Sequence, residues 1–252
     1  MDANETFDVK QTGDPPSGEV LLVGQTHLGL AGMTAADYLV RQLEAREIGH
    51  VAPSELPAIA PFEEGIPRHH SRLYGLAEPG MQVLVGELFI PVSAARPFVD
   101  ALLEWSDEQG IDEIAILHGV PFPHGPDEHD VFQVATEAYR ERRLSGQQFQ
   151  PLKGGFLDGV AGELLTRSLD DTAPETGVFI TPTHPPGPDV DAALRLLGTI
   201  ETLYGVEVDE SELRELGEQF KEYYEQLVER MTAAEGDQAL GSHDYPVDRM
   251  YM

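Results

Sequence analysis

The 252-residue sequence has no cysteine, only three lysines and no long apolar run. The absence of cysteine excludes disulfide bonds, thiolate metal ligands and cysteine nucleophiles. No stretch reaches the roughly 18 apolar residues of a membrane-spanning helix, so we predict no membrane contact. The opening MDANETFDVK lacks the basic and apolar segments of a signal peptide, and we therefore expect a cytoplasmic protein.

Charge of one sign dominates the composition. The chain carries 45 acidic against 16 basic residues, a formal net charge of −29. Such a surface repels nucleic acid and anionic lipid, which argues against nucleic-acid binding. The acidic residues are spread along the chain, as in proteins of salt-loving microbes, where molar salt screens the self-repulsion. We interpret this charge as an adaptation to the solvent, which says little about function.

Short apolar runs alternate with helical patterns along the chain. The predicted strands cover residues 19–24, 81–91 and 111–119, with a last strand from Gly177. The predicted helices cover about 30–47, 93–110, 131–143, 159–169, 189–204 and 210–234. Because several strands are continuous Val/Ile/Leu runs between helices, the pattern predicts an α/β sandwich with a largely parallel sheet.

The same pass along the chain predicts four regions. Residues 1–18 are polar, contain GDPPSG and are expected to be a flexible arm. The α/β domain follows over 19–204, and a helical segment over 205–235 carries one apolar stripe. Residues 236–252 show no periodicity and are expected to form a flexible tail.

The stretch GQTHLGLAG places Gly24, Gly29 and Gly32 between a strand and a helix. Backbone N–H groups at such a helix start can meet a phosphate, so the three glycines are candidate ligand-binding residues. Their spacing is not the dinucleotide-binding fingerprint, and the Gly-Lys-Ser/Thr of a P-loop is missing. The alternative is a tight turn that needs small residues.

Histidines concentrate after two of the predicted strands. His118, His124 and His129 surround the loop after the third strand, and His184 follows the last one. Ligands of open α/β sheets usually bind at the carboxyl ends of strands, so His118 is a further candidate ligand residue. No HExxH or other ligand spacing is present, and we predict neither a metal site nor a cofactor.

The sequence shows no assembled catalytic machinery. It has no G-x-S-x-G nucleophile elbow. Glu87 lies in an otherwise apolar strand, where it is a general base, a buried carboxylate paired with an arginine such as Arg72 or Arg96, or a carboxylate exposed at a sheet edge. We therefore predict no catalytic residues.

Several motifs, taken in order, resemble one known family. GQTHLGLAGMTAADYLVRQL and MQVLVGELFIPVSAARPFVDALLEW, followed by GIDEIAILHGV and GGFLDGVAGELL, are similar to the archaeal proteasome assembly chaperones, relatives of the eukaryotic PAC2 subunit. The resemblance covers roughly residues 20–231 and departs at the first turn, where the family more often has proline and a small residue. It implies a three-layer α/β/α sandwich, Rossmann-like and phosphorylase/hydrolase-like, with a C-terminal helical appendage. It also implies a homo-oligomer.

The last three residues gain a meaning from this resemblance. Met250, Tyr251 and Met252 fit the hydrophobic-tyrosine-any (HbYX) pattern of proteasome activators, whose tails enter pockets between α-subunits of the 20S proteasome. A terminal carboxylate can pair with a pocket lysine, and a tyrosine is a rigid interface anchor. Several tails on one oligomer would bind more tightly through effective concentration.

We therefore predict a non-enzymatic assembly chaperone or activator-like partner of the archaeal 20S proteasome. The alternative is an enzyme or a nucleotide-binding or small-molecule-binding protein on a phosphorylase-like fold, with its ligand near 24–32 and 118–129. Older family labels called such proteins ATP-grasp ligases, but the lysine and acidic metal ligands of that chemistry are not evident. A third alternative is a self-associating scaffold without proteasome contact.

Overall fold

The computed structural model of the chain describes residues 7–53, 59–125, 128–184, 187–223 and 226. The chain divides into two compact units, Met1–Glu210 and Ser211–Met252. The first unit contains a nine-stranded sheet and a separate two-stranded hairpin. The described part of the second unit is helical over residues 211–223.

Eleven strands occur in the described part of the first unit. In chain order they are β1 (Phe7–Gln11), β2 (Val20–Gln25), β3 (Arg46–Pro53), β4 (Phe62–Glu63), β5 (Ile66–Pro67), β6 (Ser71–Leu76), β7 (Met81–Gly86), β8 (Glu113–Val120), β9 (Phe132–Ala135), β10 (Gln150–Pro151) and β11 (Glu175–Pro182). Strands β4 and β5 form the hairpin, and the others form the large sheet in the order β1-β3-β6-β7-β2-β8-β11-β9-β10.

The helices cover both faces of this sheet. They are α1 (Ala31–Gln42), α2 (Val92–Gln109), α3 (Glu137–Tyr139), which continues as a π-helix over Arg140–Leu144, α4 (Gly159–Leu169) and α5 (Val190–Tyr204). Helix α1 packs against α5, and α2 packs against α4. This arrangement confirms the predicted α/β/α sandwich.

The central strands β7, β2, β8 and β11 are parallel. Consecutive residues of these strands, such as Leu21, Leu22 and Val23 of β2, have no solvent exposure. Burial of neighbours that point to opposite faces requires helices on both sides, so the continuous apolar runs were a reliable signal.

The prediction of a largely parallel sheet is correct for this centre and for the short pair β9–β10 at one edge. The outer pairs β1–β3, β3–β6, β6–β7 and β9–β11 are antiparallel. Strands β6 and β7 are joined by residues 77–80 alone, and so short a connection allows only antiparallel pairing.

Several predicted boundaries differ from the structure, three of them by a change in the type of element. Residues 7–11, assigned to the flexible arm, form β1 and pair antiparallel with β3. The helix predicted over 30–47 ends at Gln42, and β3 begins at Arg46. The helix predicted over 131–143 is wrong at its start, because residues 132–135 pair with β11 as β9.

Two other predicted helix ends, at Gly110 and at Asp189, agree with the structure. Helix α2 stops before Gly110, whose φ of 70° is the left-handed conformation that suits glycine at a helix end. Asp189 caps α5, and its side chain accepts a hydrogen bond from the Ala192 amide. None of the helices in the described ranges is long and apolar enough to cross a membrane. The predicted helix beyond residue 223, apart from position 226, and the tail over 236–252 lie outside those ranges.

Candidate functional site

The glycine-rich turn between β2 and α1 is a close crossing of backbone segments. A Cβ atom on Gly24 would lie 2.4 Å from the Gly32 carbonyl oxygen, and one on Gly32 would lie 2.1 Å from that of Leu117. Gly29 has a φ of 77°, and a Cβ there would lie 2.7 Å from Cβ of Thr183. These distances favour the tight-turn alternative, because the glycines let α1 pack directly on the sheet.

His118 contacts this turn and does not join His124, His129 and His184. Its ring lies 4.4 Å from that of His27, and Nδ1 of His27 lies 2.9 Å from the Gly119 carbonyl oxygen. The two rings line a cavity of about 50 Å³, far below the roughly 300 Å³ of small-molecule sites. Burial lowers the pKa of His118 to about 4, and His27 acts in the same direction.

Three further histidines meet at the carboxyl ends of β8 and β11. His124 and His129 belong to the loop after β8, and His184 follows β11. Their Nε2 atoms form a triangle with sides of 3.2 Å (His124 to His129), 3.4 Å (His129 to His184) and 3.2 Å (His184 to His124). Of the four histidines that the sequence placed at this edge, the structure thus brings His124, His129 and His184 together and separates His118 from them.

Two of these rings are held by polar contacts at their Nδ1 atoms. Nδ1 of His184 lies 2.9 Å from Oδ2 of Asp189, whose Oδ1 accepts the Ala192 amide 2.9 Å away. Nδ1 of His124 lies 2.7 Å from the Phe122 carbonyl oxygen. The Nε2 atoms are therefore turned towards a common centre by contacts that also shape the loops.

A polar cleft borders the histidine triangle. It has a volume of about 330 Å³, and its lining includes His129, Gln148, Gln150 and Arg195. Nε of Arg195 donates a 2.8 Å hydrogen bond to Oγ1 of Thr181, which holds the guanidinium at the wall of the cleft. This volume, unlike the one beside His118, is within the range of small-molecule sites.

Comparison of the whole chain decides its family. The PAC2 family profile matches residues 21–228. The chain belongs to the PAC2 family. No curated protein matches the sequence. The family predicted from the ordered motifs is therefore confirmed.

Solved structures of similar fold include three archaeal proteins. Pyrococcus furiosus PbaA, an archaeal homolog of proteasome-assembly chaperone, has 20% identity and a TM-score of 0.79 over 93% of this chain and 97% of its own. Pyrococcus furiosus PbaB, an archaeal proteasome activator, has 18% identity and a TM-score of 0.78 over 88% and 99%. A Thermoplasma acidophilum protein of unknown function has 26% identity and a TM-score of 0.72 over 90% and 91%.

In this PAC2-family protein, Glu87 is paired with arginines. Its Oε1 atom lies 2.6 Å from Nη2 of Arg68 and 3.4 Å from Nη2 of Arg72. The structural alternative is therefore confirmed with Arg72 as a partner, whereas Arg96 contacts Glu163 instead, 3.3 Å away.

Sequence reasoning missed a buried polar network at the start of β8. The Glu113 side chain is fully buried and accepts hydrogen bonds from Nε and Nη2 of Arg143, at 3.0 and 2.7 Å. The Tyr204 hydroxyl donates a 2.7 Å hydrogen bond to Oε1 of Glu113. The oxygen of the Tyr139 hydroxyl lies 3.2 Å from that of Tyr204. The available signal was an acidic residue at the start of the apolar run EIAILHGV. The network ties β8 to α5 and to the π-helix.

The remaining predicted site residues, Met250, Tyr251 and Met252, lie outside the described ranges. Their role stays a prediction.

We expect His118 to make the fold less stable as the pH falls from 6.5 towards 4. An unfolded histidine takes up its proton near pH 6.5, whereas folded His118 stays neutral down to about pH 4. Protons then favour the unfolded state, by up to about 2 kcal/mol at pH 5. Urea unfolding at pH 7 and pH 5, with EDTA present, should show a smaller loss for His118→Gln than for the unchanged protein. Equal losses would contradict the assignment.

Proposed function

We propose that this protein self-associates and acts as an assembly chaperone or activator-like partner of the 20S proteasome. Its Met250-Tyr251-Met252 tail would dock in pockets between the α-subunits. The observation that carries the proposal is an HbYX-type ending on a PAC2-family chain whose fold matches those of PbaA and PbaB. The cytoplasm of a salt-adapted archaeon is the setting we propose, in keeping with the net charge of −29.

Each of the three tail residues would make a different contact in the pocket. The Met252 carboxylate would accept charge-assisted hydrogen bonds from a pocket lysine. Tyr251 brings a rigid ring and a hydroxyl that needs a partner, and Met250 adds an adaptable apolar contact. The segment 236–249 spans about 45 Å when fully extended, at roughly 3.3 Å per residue, so the body need not touch the pocket.

Exposed apolar side chains on the first unit support self-association. Phe89 and Val92 are 57% and 61% exposed and line the same small cavity beside the β2–α1 turn. Phe156, shortly before α4, is fully exposed. On so acidic a chain these side chains are suited to a contact between copies, which would present several tails at once and raise their joint affinity.

The competing functions fit less well. The cavity beside the β2–α1 turn, lined by His27 and His118, is too small for a nucleotide, so the alternative enzyme or nucleotide-binding protein would need another site. A scaffold without proteasome contact would leave the HbYX-type ending without a role. We therefore favour a non-enzymatic proteasome partner.

The test is binding to 20S particles in high salt, measured by co-sedimentation. Tyr251→Ala should weaken binding by about 30-fold or more, as expected for a buried aromatic anchor. A glycine appended after Met252 should have a similar effect, because it moves the terminal carboxylate. Tyr245→Ala removes a tyrosine from the same tail outside the motif and is the matched control.

Two results would overturn the proposal. One is that the unchanged protein does not sediment with 20S particles. The other is that Tyr251→Ala and the appended glycine bind as well as Tyr245→Ala does. Size-exclusion chromatography with light scattering tests the homo-oligomer separately.

A further inference from the structure

The triangle of histidine nitrogens has the dimensions of a zinc site. Zn²⁺ bound by histidine at about 2.0–2.1 Å in tetrahedral geometry holds its nitrogen ligands about 3.3–3.4 Å apart. The Nε2 atoms of His124, His129 and His184 are 3.2–3.4 Å apart. An ion at that bond length would lie about 0.8 Å out of their plane and would have a fourth position left for another ligand. We propose that these three histidines bind one Zn²⁺-type ion through Nε2.

The hydrogen-bond partners behind the rings determine where the protons are. A neutral imidazole has one N–H donor and one acceptor nitrogen. Nδ1 of His184 faces the Asp189 carboxylate, and Nδ1 of His124 faces the Phe122 carbonyl oxygen. Both partners are acceptors, so in the neutral rings each Nδ1 atom carries the hydrogen and each Nε2 atom carries a lone pair.

Two lone pairs then face each other across 3.2 Å, between Nε2 of His184 and Nε2 of His124. Acceptors at this distance repel unless a positive charge lies between them. A proton can bridge only one pair of the three nitrogens at a time. A metal ion satisfies all three nitrogens together, and their near-equal separations are those of ligands around one centre.

The contacts of Asp189 resemble the supporting shell of known metal sites. A ligating histidine usually donates its second nitrogen to a carboxylate or a backbone carbonyl, which fixes both the tautomer and the ring. The Asp189 side chain is only 8% exposed and is held by the α5 cap, whereas the His184 side chain is 54% exposed. The orienting group is therefore rigid and the ligand is accessible from solvent.

The donor set selects the class of metal. Three imidazoles without thiolate or carboxylate suit Zn²⁺, with Cu²⁺ and Ni²⁺ as competitors, and disfavour Mg²⁺, Ca²⁺ and Mn²⁺, which prefer oxygen. Three protein ligands with an open fourth position are typical of zinc sites that bind water or an exchangeable ligand, since structural zinc sites use four. His129 also lines the polar cleft, from which such a ligand can approach.

The prediction of no metal site relied on spacing along the chain. His129 and His184 are 55 residues apart in sequence and come together only because β8 and β11 are neighbours in the sheet. The metal site is independent of the proposed proteasome binding, and its test needs no proteasome.

The test is a Zn²⁺ titration of the full chain after removal of metal with EDTA, in competition with a chromophoric chelator. We expect one equivalent of Zn²⁺ to bind, and His129→Gln and His124→Gln each to weaken that binding by about 100-fold or more. Co²⁺ in the same site should give the intense visible absorption of a four-coordinate ion. His69→Gln is the matched control, because His69 stacks on His50 away from the cluster.

A supporting variant separates metal binding from folding. Asn caps helices as well as Asp does, so Asp189→Asn should preserve α5 while weakening Zn²⁺ binding by about 10-fold or more. Circular dichroism of each metal-free variant checks that it folds. The proposal is overturned if His129→Gln and His69→Gln bind Zn²⁺ equally, or if the unchanged protein binds less than one equivalent.

Discussion

Arg143→Met should lower the free energy of unfolding by about 3–5 kcal/mol, the range for removing one partner of a buried ion pair. The reason is the asymmetry of the Glu113 pair. The Glu113 side chain has no solvent exposure, whereas that of Arg143 is 27% exposed. Without the arginine the carboxylate stays buried, with only the Tyr204 hydroxyl and Nε of Arg142, 3.8 Å away, to compensate.

Substituting the other partner of the pair, Glu113, should lower the free energy of unfolding by less. Glu113→Gln removes the buried charge and leaves Arg143 free to turn towards water, so its cost should be about 1–3 kcal/mol. Adding Glu113→Gln to Arg143→Met should recover part of the loss, because the buried charge is then gone. Urea unfolding of the two single variants and the double variant gives the coupling energy.

Arg96→Met is the matched control for this prediction. It breaks the ion pair with Glu163, but Arg96 is 73% exposed, so we expect a loss below about 1 kcal/mol. If Arg143→Met is no more destabilising than Arg96→Met, the Glu113 network contributes little to stability and our interpretation is wrong.

The sequence predicted correctly those elements that are determined by residues close together in the chain. The continuous apolar runs of β2, β7 and β8 indicated buried strands, and Gly110 and Asp189 marked helix ends through their local backbone chemistry. These signals depend on residues close together in the chain. They predicted an α/β sandwich and the ends of α2 and α5, whereas the three-layer α/β/α arrangement was implied by the family resemblance.

The outer strands escaped prediction because their pairing comes from distant partners. β3 has the sequence REIGHVAP, and β9 has only four residues within a pattern that reads as a helix. Each becomes a strand because a neighbouring edge offers hydrogen bonds, β6 to β3 and β11 to β9. Intrinsic propensity is weaker than this tertiary pairing.

The candidate site was also predictable only in part. The residue types and the sheet edge were predictable, because His118, His124, His129 and His184 all follow or end buried strands. Their partners were not predictable. His118 points to the β2–α1 turn, whereas the other three converge, and only the order of strands in the sheet decides between these outcomes.

Gly32→Ala should destabilise the fold by about 3 kcal/mol, at the upper end of the cost of overpacking. Helix propensity alone predicts the opposite sign, because alanine is favoured over glycine in a helix by about 1 kcal/mol. The clash dominates, since the added Cβ would lie 2.1 Å from the backbone carbonyl oxygen of Leu117. A backbone atom of a central strand cannot swing aside as a flexible side chain can, so α1 must move away from β8.

Gly198→Ala provides the comparison within the same protein. Gly198 lies inside α5, and a Cβ there would meet nothing within 4 Å, so only the propensity gain of about 1 kcal/mol remains. We therefore expect the thermal unfolding temperatures of the two variants to shift in opposite directions from that of the unchanged protein.

A ligand-binding role for the glycines predicts a different result. If Gly32 were needed only to admit a phosphate, Gly32→Ala without ligand would shift in the same direction as Gly198→Ala. Opposite shifts would identify the turn as the contact that joins α1 to the sheet.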